Sequence, residues 1–412
     1  MAAAAEGSAG GRKRKRAAPG LGDLHDDMLE RVLARLPPAS FFRLRGVCRR
    51  WRAAAGSNTF RDACAGAPAR DPWFLMLSDS DHQEVEERRP ESAAVVFDSG
   101  ERAWARWRGA LGTAPVAAAG GLLLYRDPGS GELTVANPLT GASRTLPPPP
   151  CAATGALHAI AMYGSPYRVV LILGELPDLS MVEFDSSKNA WGSAVTLSRK
   201  PEAASPERAA EGGGGDGEDD TVYFLSKSGD VVVTNMQRSA SRQYSSAVAC
   251  RGDGGGEAVA YFLSRSGTVV ACDLARRAFT ELPRILPVYH EYSIDVVACD
   301  GGAAYVVVLS ELLDTASLRV WEFAGDAWRQ VAAMPPSMSH AFYGKKADVN
   351  CVGHGGRVMV CVSSAEAGAG GCYMCDVTSN RWEELPRRAG GDGAATDFVA
   401  ALSFEPRMEV AV

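Results

Sequence analysis

The sequence predicts a mainly β fold built from repeated small sheets, preceded by a small helical unit. Three observations predict it. Short β-rich runs bounded by Gly, Pro, Asp and Ser fill the chain from Trp73 onward. Within that region a strand end followed by an aromatic seven residues later recurs. Ahead of it, residues 24–51 set apolar side chains at helical spacing.

In the helical unit, Leu24, Met28, Leu29, Val32, Leu33 and Leu36 fall on one face of an amphipathic helix. Asp26 or Asp27 is expected to cap it through a side-chain oxygen. Pro37 and Pro38 stop it, because proline lacks the N–H and clashes with the preceding turn. A second short helix starting at Ala39 or Ser40 bears Phe41, Phe42 and Leu44. Gly46 breaks it, and a third carries Val47, Cys48 and Trp51 among Arg45, Arg49, Arg50 and Arg52. A fourth runs through Phe60 and Cys64, which closes the unit at residues 21–66. So small a unit cannot bury this much apolar surface alone, so part of it is expected to face a partner.

The repeat organises the rest of the chain. Phe97, Phe184, Cys272, Trp321 and Cys375 end strands and are followed seven residues later by Trp104, Trp191, Phe279, Trp328 and Trp382. Two looser copies lie at residues 134–147 and 231–244. The period, about 40 to 54 residues, is that of a β-propeller blade. Each unit reads as a strand turned by Asp or Asn, a polar hairpin, and a strand opened by an aromatic that packs between sheets. Near-continuous apolar strands lie upstream, at residues 122–125, 168–173, 222–225, 259–263, 304–309 and 357–362, and such sheets hide both faces only by stacking in a ring. Seven copies predict seven blades over residues 73–412, with six as the alternative. Residues 398–404 are expected to pair with the Trp73 region and close the ring, which leaves no open sheet edge.

Composition bounds the function. The chain has 412 residues, a hydrophobic content of 46% and a net charge of −6, which argues for a globular protein without a field that draws nucleic acid. No secretory signal or membrane span is visible, so a soluble intracellular protein of nucleus or cytoplasm is expected, its ten cysteines reduced thiols. Residues 1–20 are expected to be disordered, and the cations Arg12 to Arg16 read either as a nuclear import signal or as a solvated basic tail. Residues 67–72, with two prolines, form a stiff linker. The Ala/Glu/Gly-rich residues 200–220 read as a disordered insert or as an acidic partner-binding segment.

No catalytic constellation emerges. The six histidines are dispersed, and neither a nucleophile elbow nor a phosphate-cradling loop is present. Cys351, His354, Cys361, Cys372 and Cys375 have ligand spacing only as text: Cys372 and Cys375 share a strand and point to opposite faces, so they read as buried hydrophobes. No cofactor or metal is expected. Recognition remains, through blade connections with aromatics among polar groups. Those at residues 287–292 and 339–346 single out Tyr289, His290, Tyr292, Phe342 and Tyr343.

Residues 24–51 resemble an F-box: the opening Leu24, the Leu29, Val32, Leu36, Pro37 run and the closing Val47-Cys48-Arg49-Arg50-Trp51 fall at family spacing, with His25 in place of the usual proline. The blades resemble the kelch type of plant F-box/kelch-repeat proteins, and residues 137–147 and 404–410 are similar to the Hawaiian Skirt branch. The resemblance implies docking on a Skp-type adaptor, and through it on a cullin and a RING subunit. It marks Leu24, Met28, Leu29, Val32, Leu33, Leu36, Pro37, Phe41, Leu44, Val47, Cys48 and Trp51 as adaptor-binding. The implied role is the non-catalytic substrate receptor of an SCF-type ubiquitin ligase, its propeller holding an unknown protein target. The alternative is a scaffold or transcriptional co-regulator outside a ligase.

Overall fold

The computed structural model describes residues 24–44, 46–54, 56–78, 94–107, 113–150, 156–200, 222–225, 231–234, 246–251, 257–264, 268–286, 292–299, 302–312, 314–364, 370–387 and 398–412. The expected tail at 1–20 and all of the insert but Lys200 lie outside them. The chain divides into two compact units, Met1–Ala69 and Arg70–Val412. Among the described residues no helix is long and apolar enough to cross a membrane.

The first unit has four helices: α1 (Asp26–Ala34), α2 (Pro38–Leu44), α3 (Arg49–Ala54) and α4 (Asn58–Ala65). The N-cap of α1 is His25, without a side-chain cap. Asp26 and Asp27 do not cap it; both lie inside the first turn, where carboxylates complement the helix dipole. Arg50 on α3 donates to Asp26 at 2.7 Å. Pro38 opens α2 rather than merely ending α1, since proline suits a helix's first position. Ser57 caps α4 by accepting from the Phe60 N–H at 2.9 Å, and its hydroxyl donates to the buried Glu30 at 2.7 Å. Phe41 and Phe60 stack at 5.1 Å between centroids. Leu29, Leu33 and Cys64 are buried as well.

The second unit is a β-propeller of six blades, not seven. The first blade takes β1 (Trp73–Ser78), β2 (Ala94–Asp98) and β3 (Ala103–Trp107). The second has β4 (Pro115–Ala119), β5 (Leu122–Arg126), β6 (Leu133–Ala136) and β7 (Ser143–Thr145). The third has β8 (Leu157–Tyr163), β9 (Arg168–Glu175), β10 (Asp178–Asp185) and β11 (Ala190–Trp191), with β12 (Val195–Thr196) pairing on β10. Then β13 (Ser198–Arg199) crosses to the fourth blade, and β14 (Val222–Leu225) and β15 (Val231–Thr234) form a hairpin of their own. That hairpin is the copy counted as a seventh repeat: among the described residues it pairs with no blade. The fourth blade has β16 (Ser246–Arg251), β17 (Glu257–Leu263), β18 (Val269–Asp273) and β19 (Ala278–Glu281). The fifth has β20 (Tyr292–Cys299), β21 (Ala303–Leu312), β22 (Thr315–Ala324) and β23 (Ala327–Ala333). Helix α5 (Pro336–Ser339) leads to the sixth: β24 (Asp348–His354), β25 (Arg357–Ser363), β26 (Gly371–Asp376) and β27 (Arg381–Glu384).

The last strand, β28 (Phe398–Phe404), returns to the first blade and pairs antiparallel with β1, Trp73 opposite Phe404 and Leu75 opposite Leu402. Phe404 is buried edge-on against Trp73 and Trp107. The terminal residues are then strapped down. Asn137 donates to the carbonyls of Arg407 and Val410, both at 2.9 Å. Gly121, at φ +84°, passes so close that a Cβ would lie 2.9 Å from the Glu405 carbonyl. Arg70 donates its N–H to Glu405 at 2.9 Å and its guanidinium to the Pro406 carbonyl at 3.0 Å. Residues 70–72 thus belong to this unit, and Ser99 donates to the Pro72 carbonyl.

The seven-residue offset is a hairpin register. Phe97 faces Trp104, Phe184 faces Trp191, Cys272 faces Phe279 and Cys375 faces Trp382. The four-residue loops between them end on a left-handed residue, Arg102, Asn189, Arg277 or Asn380. The strand-end Asp accepts loop N–H groups: Asp98 from Gly100 at 3.0 Å, Asp185 from Ser187 at 2.9 Å, Asp376 from Ser379 at 2.9 Å. The fifth blade departs. Trp328 faces Phe323, not Trp321, because Gly325 and Asp326, both at positive φ, make a two-residue turn.

Blades are clasped at their outer edges. The Trp104, Trp191 and Trp328 indoles donate to the carbonyls of Pro386, Pro147 and Pro283 on the preceding blade, at 2.7, 2.6 and 2.6 Å. The leucine before each of these prolines is buried. Trp328→Phe removes one clasp and is expected to cost about 1 kcal/mol, read as a lower urea midpoint at unchanged slope. The Ser187 hydroxyl and amide hold the Asp185 carboxyl below its usual range, and the Ser379 amide does the same for Asp376. A folded pKa below the unfolded one gives stability that is present above the unfolded value, about 4, and lost as pH falls through the folded value. The urea midpoint is expected to fall across that window, and less steeply in the Asp185→Asn, Asp376→Asn double variant.

Candidate functional site

The helical unit sorts its predicted adaptor contacts into two groups. Leu29, Leu33 and Phe41 are at most 2% exposed, so they form the unit's interior and present no surface. Met28, Val32 and Val47 are 47%, 40% and 68% exposed. Pro37 and Cys48 are exposed too, while Leu24, Leu36, Leu44 and Trp51 are half-buried. Met28 and Val32 are four residues apart on α1 and share a face. The helix therefore has two apolar faces, one filled by its own unit and one open to solvent. Exposed Arg31, Arg35, Arg43, Arg49 and Arg52 accompany the open side chains, which suits an acidic partner.

In an antiparallel meander successive connections alternate between edges. One face of the propeller thus carries every second-to-third connection and every blade-to-blade connection. The predicted aromatic connection at residues 339–346 falls there. Tyr289 and His290 lie outside the described residues, and of Tyr292 only its backbone, the first residue of β20, is described.

The connection from β23 to β24 is built around Phe342. That side chain is 2% exposed, inserted edge-on against Tyr373 between the fifth and sixth blades. It anchors the segment and offers no binding surface. Its neighbour Tyr343 points outward, 38% exposed, its ring stacked on His340 at 6.0 Å. The Tyr343 hydroxyl donates to Asp314 at 2.7 Å, and that carboxylate pushes the hydroxyl's pKa up. The Gly344 N–H donates to Glu311 at 3.1 Å. Leu312, on the same β21–β22 hairpin, is 54% exposed. The patch thus joins Leu312, Tyr343 and His340 to Glu311 and Asp314, beside Lys345 and Lys346. Sequence reasoning found the tyrosine and missed the hairpin, since the partners lie about thirty residues apart and only the blade's register joins them.

A cavity of about 450 Å³ lies on the axis. Its walls are the innermost strands, with Ala117, Met162, Val297 and Ala401 among the lining residues. The strands converge there: a Cβ on Gly353 would lie 2.2 Å from the Ala298 carbonyl. Cys372 and Cys375 do point to opposite faces of β26, Cys375 toward the fifth blade and Cys372 toward the first. Cys351 lies with Cys375 and Cys361 with Cys372, so these residues do not converge on one point.

A helical module with an open apolar face, followed in the chain by a six-bladed ring, is the make-up of an F-box protein with a β-propeller. The F-box domain family matches residues 21–62, and the KIB1-4 beta-propeller family matches residues 96–347. The chain belongs to the plant F-box proteins that carry this propeller. It is 42% identical over 407 residues to F-box only protein 13 of Arabidopsis thaliana, across 95% of this chain and 85% of that one. F-box only protein 6 of the same plant is 34% identical over 127 residues, 29% of this chain and 25% of its own. An Arabidopsis thaliana F-box/kelch-repeat protein is 31% identical over 139 residues, 31% of this chain and 30% of its own.

Phe342→Ala is expected to destabilise the propeller by about 3–5 kcal/mol. Tyr343→Ala is expected to leave the unfolding midpoint almost unchanged. Equal losses in thermal melts of the two variants would refute the division between anchor and surface.

Proposed function

We propose that the chain is the substrate-receptor subunit of an SCF-type ubiquitin ligase. The helical module docks on a Skp-type adaptor, and a cullin and a RING subunit join through that adaptor. The propeller holds a protein target by its blade-connection face. The observation that carries the reading is the open Met28–Val32 face on a unit whose interior is already filled by Leu29, Leu33, Phe41 and Phe60. Apolar side chains left outside a complete core mark a surface that another protein covers. The accompanying arginines would set orientation and association rate more than affinity.

The contribution to chemistry is proximity. The receptor makes no bond; it confines a target lysine near a ubiquitin-loaded enzyme and so raises effective concentration. The Leu312, His340 and Tyr343 patch supplies the amphipathic rings and apolar contact that anchor protein partners.

The test is adaptor capture by purified full-length chain. Met28→Asp with Val32→Asp is expected to lower capture by a Skp-type subunit at least 100-fold, with the melting profile unchanged, since both sites are on the surface. Wild-type affinity in that double variant would overturn the docking assignment. Leu36→Asp and Trp51→Ala are expected to weaken capture in the same assay.

A further inference from the structure

Two thiols in the sixth blade are poised for a reaction that recognition does not use. Cys361 on β25 faces Cys372 on β26 in the ladder. The Leu385 N–H donates to the Cys372 carbonyl at 2.8 Å, on the far side of β26. A strand residue points its N–H and C=O the same way, so Cys372 gives neither to β25. The two cysteines are therefore a non-hydrogen-bonded pair, in which opposite Cα atoms lie about 4.5 Å apart and side chains come closest. That separation is within the range a disulfide spans. Their sulfurs are already 2.8 Å apart.

The surroundings hold the pair in place. Cys361 is 1% exposed, its sulfur 3.8 Å from that of Met76. Phe74, Met359 and Met374 pack in the same cluster, and Cys372 lies at its partly exposed edge. One thiol is thus fixed and enclosed, while its partner meets solvent. Burial pushes the Cys272 and Cys375 thiols up to about 12, which suppresses the reactive thiolate at those two positions.

We infer that Cys361 and Cys372 are a redox-responsive site that closes to an intramolecular disulfide by exchange with a small-molecule disulfide such as oxidised glutathione. The Cys372 thiolate attacks one sulfur of the small disulfide, and the first small thiol leaves with the electron pair and takes up the Cys372 proton. The Cys361 sulfur then attacks Cys372 in the mixed disulfide and forms the protein S–S bond. The second small thiol leaves with the Cys361 proton. Two protein thiols are oxidised and one small disulfide is reduced to two thiols. The bond ties the end of β25 to the start of β26, and just past β25 Ser364 donates to the Lys345 carbonyl at 2.5 Å, beside Gly344. Oxidation therefore stiffens one border of the blade-connection patch. Formation of the bond does not depend on what that patch binds.

The test uses the folded full-length chain equilibrated with oxidised and reduced glutathione, then trapped with an alkylating agent and mapped by peptide mass spectrometry. The expected result is a peptide pair linked through Cys361 and Cys372, lighter by two hydrogens and restored by reductant. Cys361→Ala is expected to leave a glutathione adduct on Cys372. Cys375→Ala is expected to leave the link intact. Wild-type chain that retains its melting profile, with both thiols alkylated separately under excess oxidised glutathione, would overturn the inference. As a second readout, oxidation is expected to raise the melting midpoint of wild type and not of Cys372→Ser. An equal shift in both would also overturn it.

Discussion

The ladder between β28 and β1 is the constraint on which the second unit depends. Each blade buries two apolar faces, and a sheet of this kind is stable only with a neighbour on both sides. A linear stack would leave its first and last sheets open. Carrying the last strand back to the first blade turns the two ends into one sheet. The ends of the propeller sequence therefore meet in a single hydrogen-bonded blade, and unfolding either end opens the whole ring. The strap after Phe404, held by Asn137 and laid across Gly121, extends that closure onto the second blade.

Blade-to-blade clasps complete what the closure begins. An outer-strand indole reaches back to a proline carbonyl, a group that no strand pairing uses, and the leucine before that proline fills the seam. Where the sixth blade has no such clasp, Asn380 accepts the Ala333 N–H of the fifth at 3.0 Å. On the third-to-fourth connection β13 pairs in parallel with β19, so the chain itself lines the outer edge. Different residues meet the same need, which is why the repeat looks irregular as text. A ring braced at its rim holds the connections on its faces in fixed relation, and the outward Tyr343 is presented because Phe342 beside it is fastened between blades.

The helical unit illustrates the opposite economy of surface. Its interior is small, and Glu30, Ser57 and Phe60 link α1 to α4 by hydrogen bonds that leave no buried N–H or hydroxyl idle at that junction. Because that interior is complete with Leu29, Leu33, Phe41 and Phe60, the side chains on the other face of α1 add nothing to it. Their exposure is a property of the unit's size: helices of six to nine residues cannot wrap every apolar position around one core.

Much of this was legible in the sequence. Period and turn chemistry specify a propeller because strand-end Asp, hairpin and aromatic are local, and their seven-residue offset is the register itself. The helical module is likewise legible, since spacing and proline positions act within a few residues. What the sequence could not decide was which repeats join the ring: residues 231–234 carry the strand pattern, yet among the described residues they pair only with residues 222–225, as a separate hairpin. Nor could it tell Leu33 from Val32, or Phe342 from Tyr343, because adjacent apolar residues have the same chemistry, and only packing decides which is covered. Local chemistry acts between neighbours in sequence and so determined elements and their order. Closure of β28 on β1 and the burial that separates Leu33 from Val32 and Phe342 from Tyr343 are relations between segments distant in sequence, and those exist only once each unit has formed.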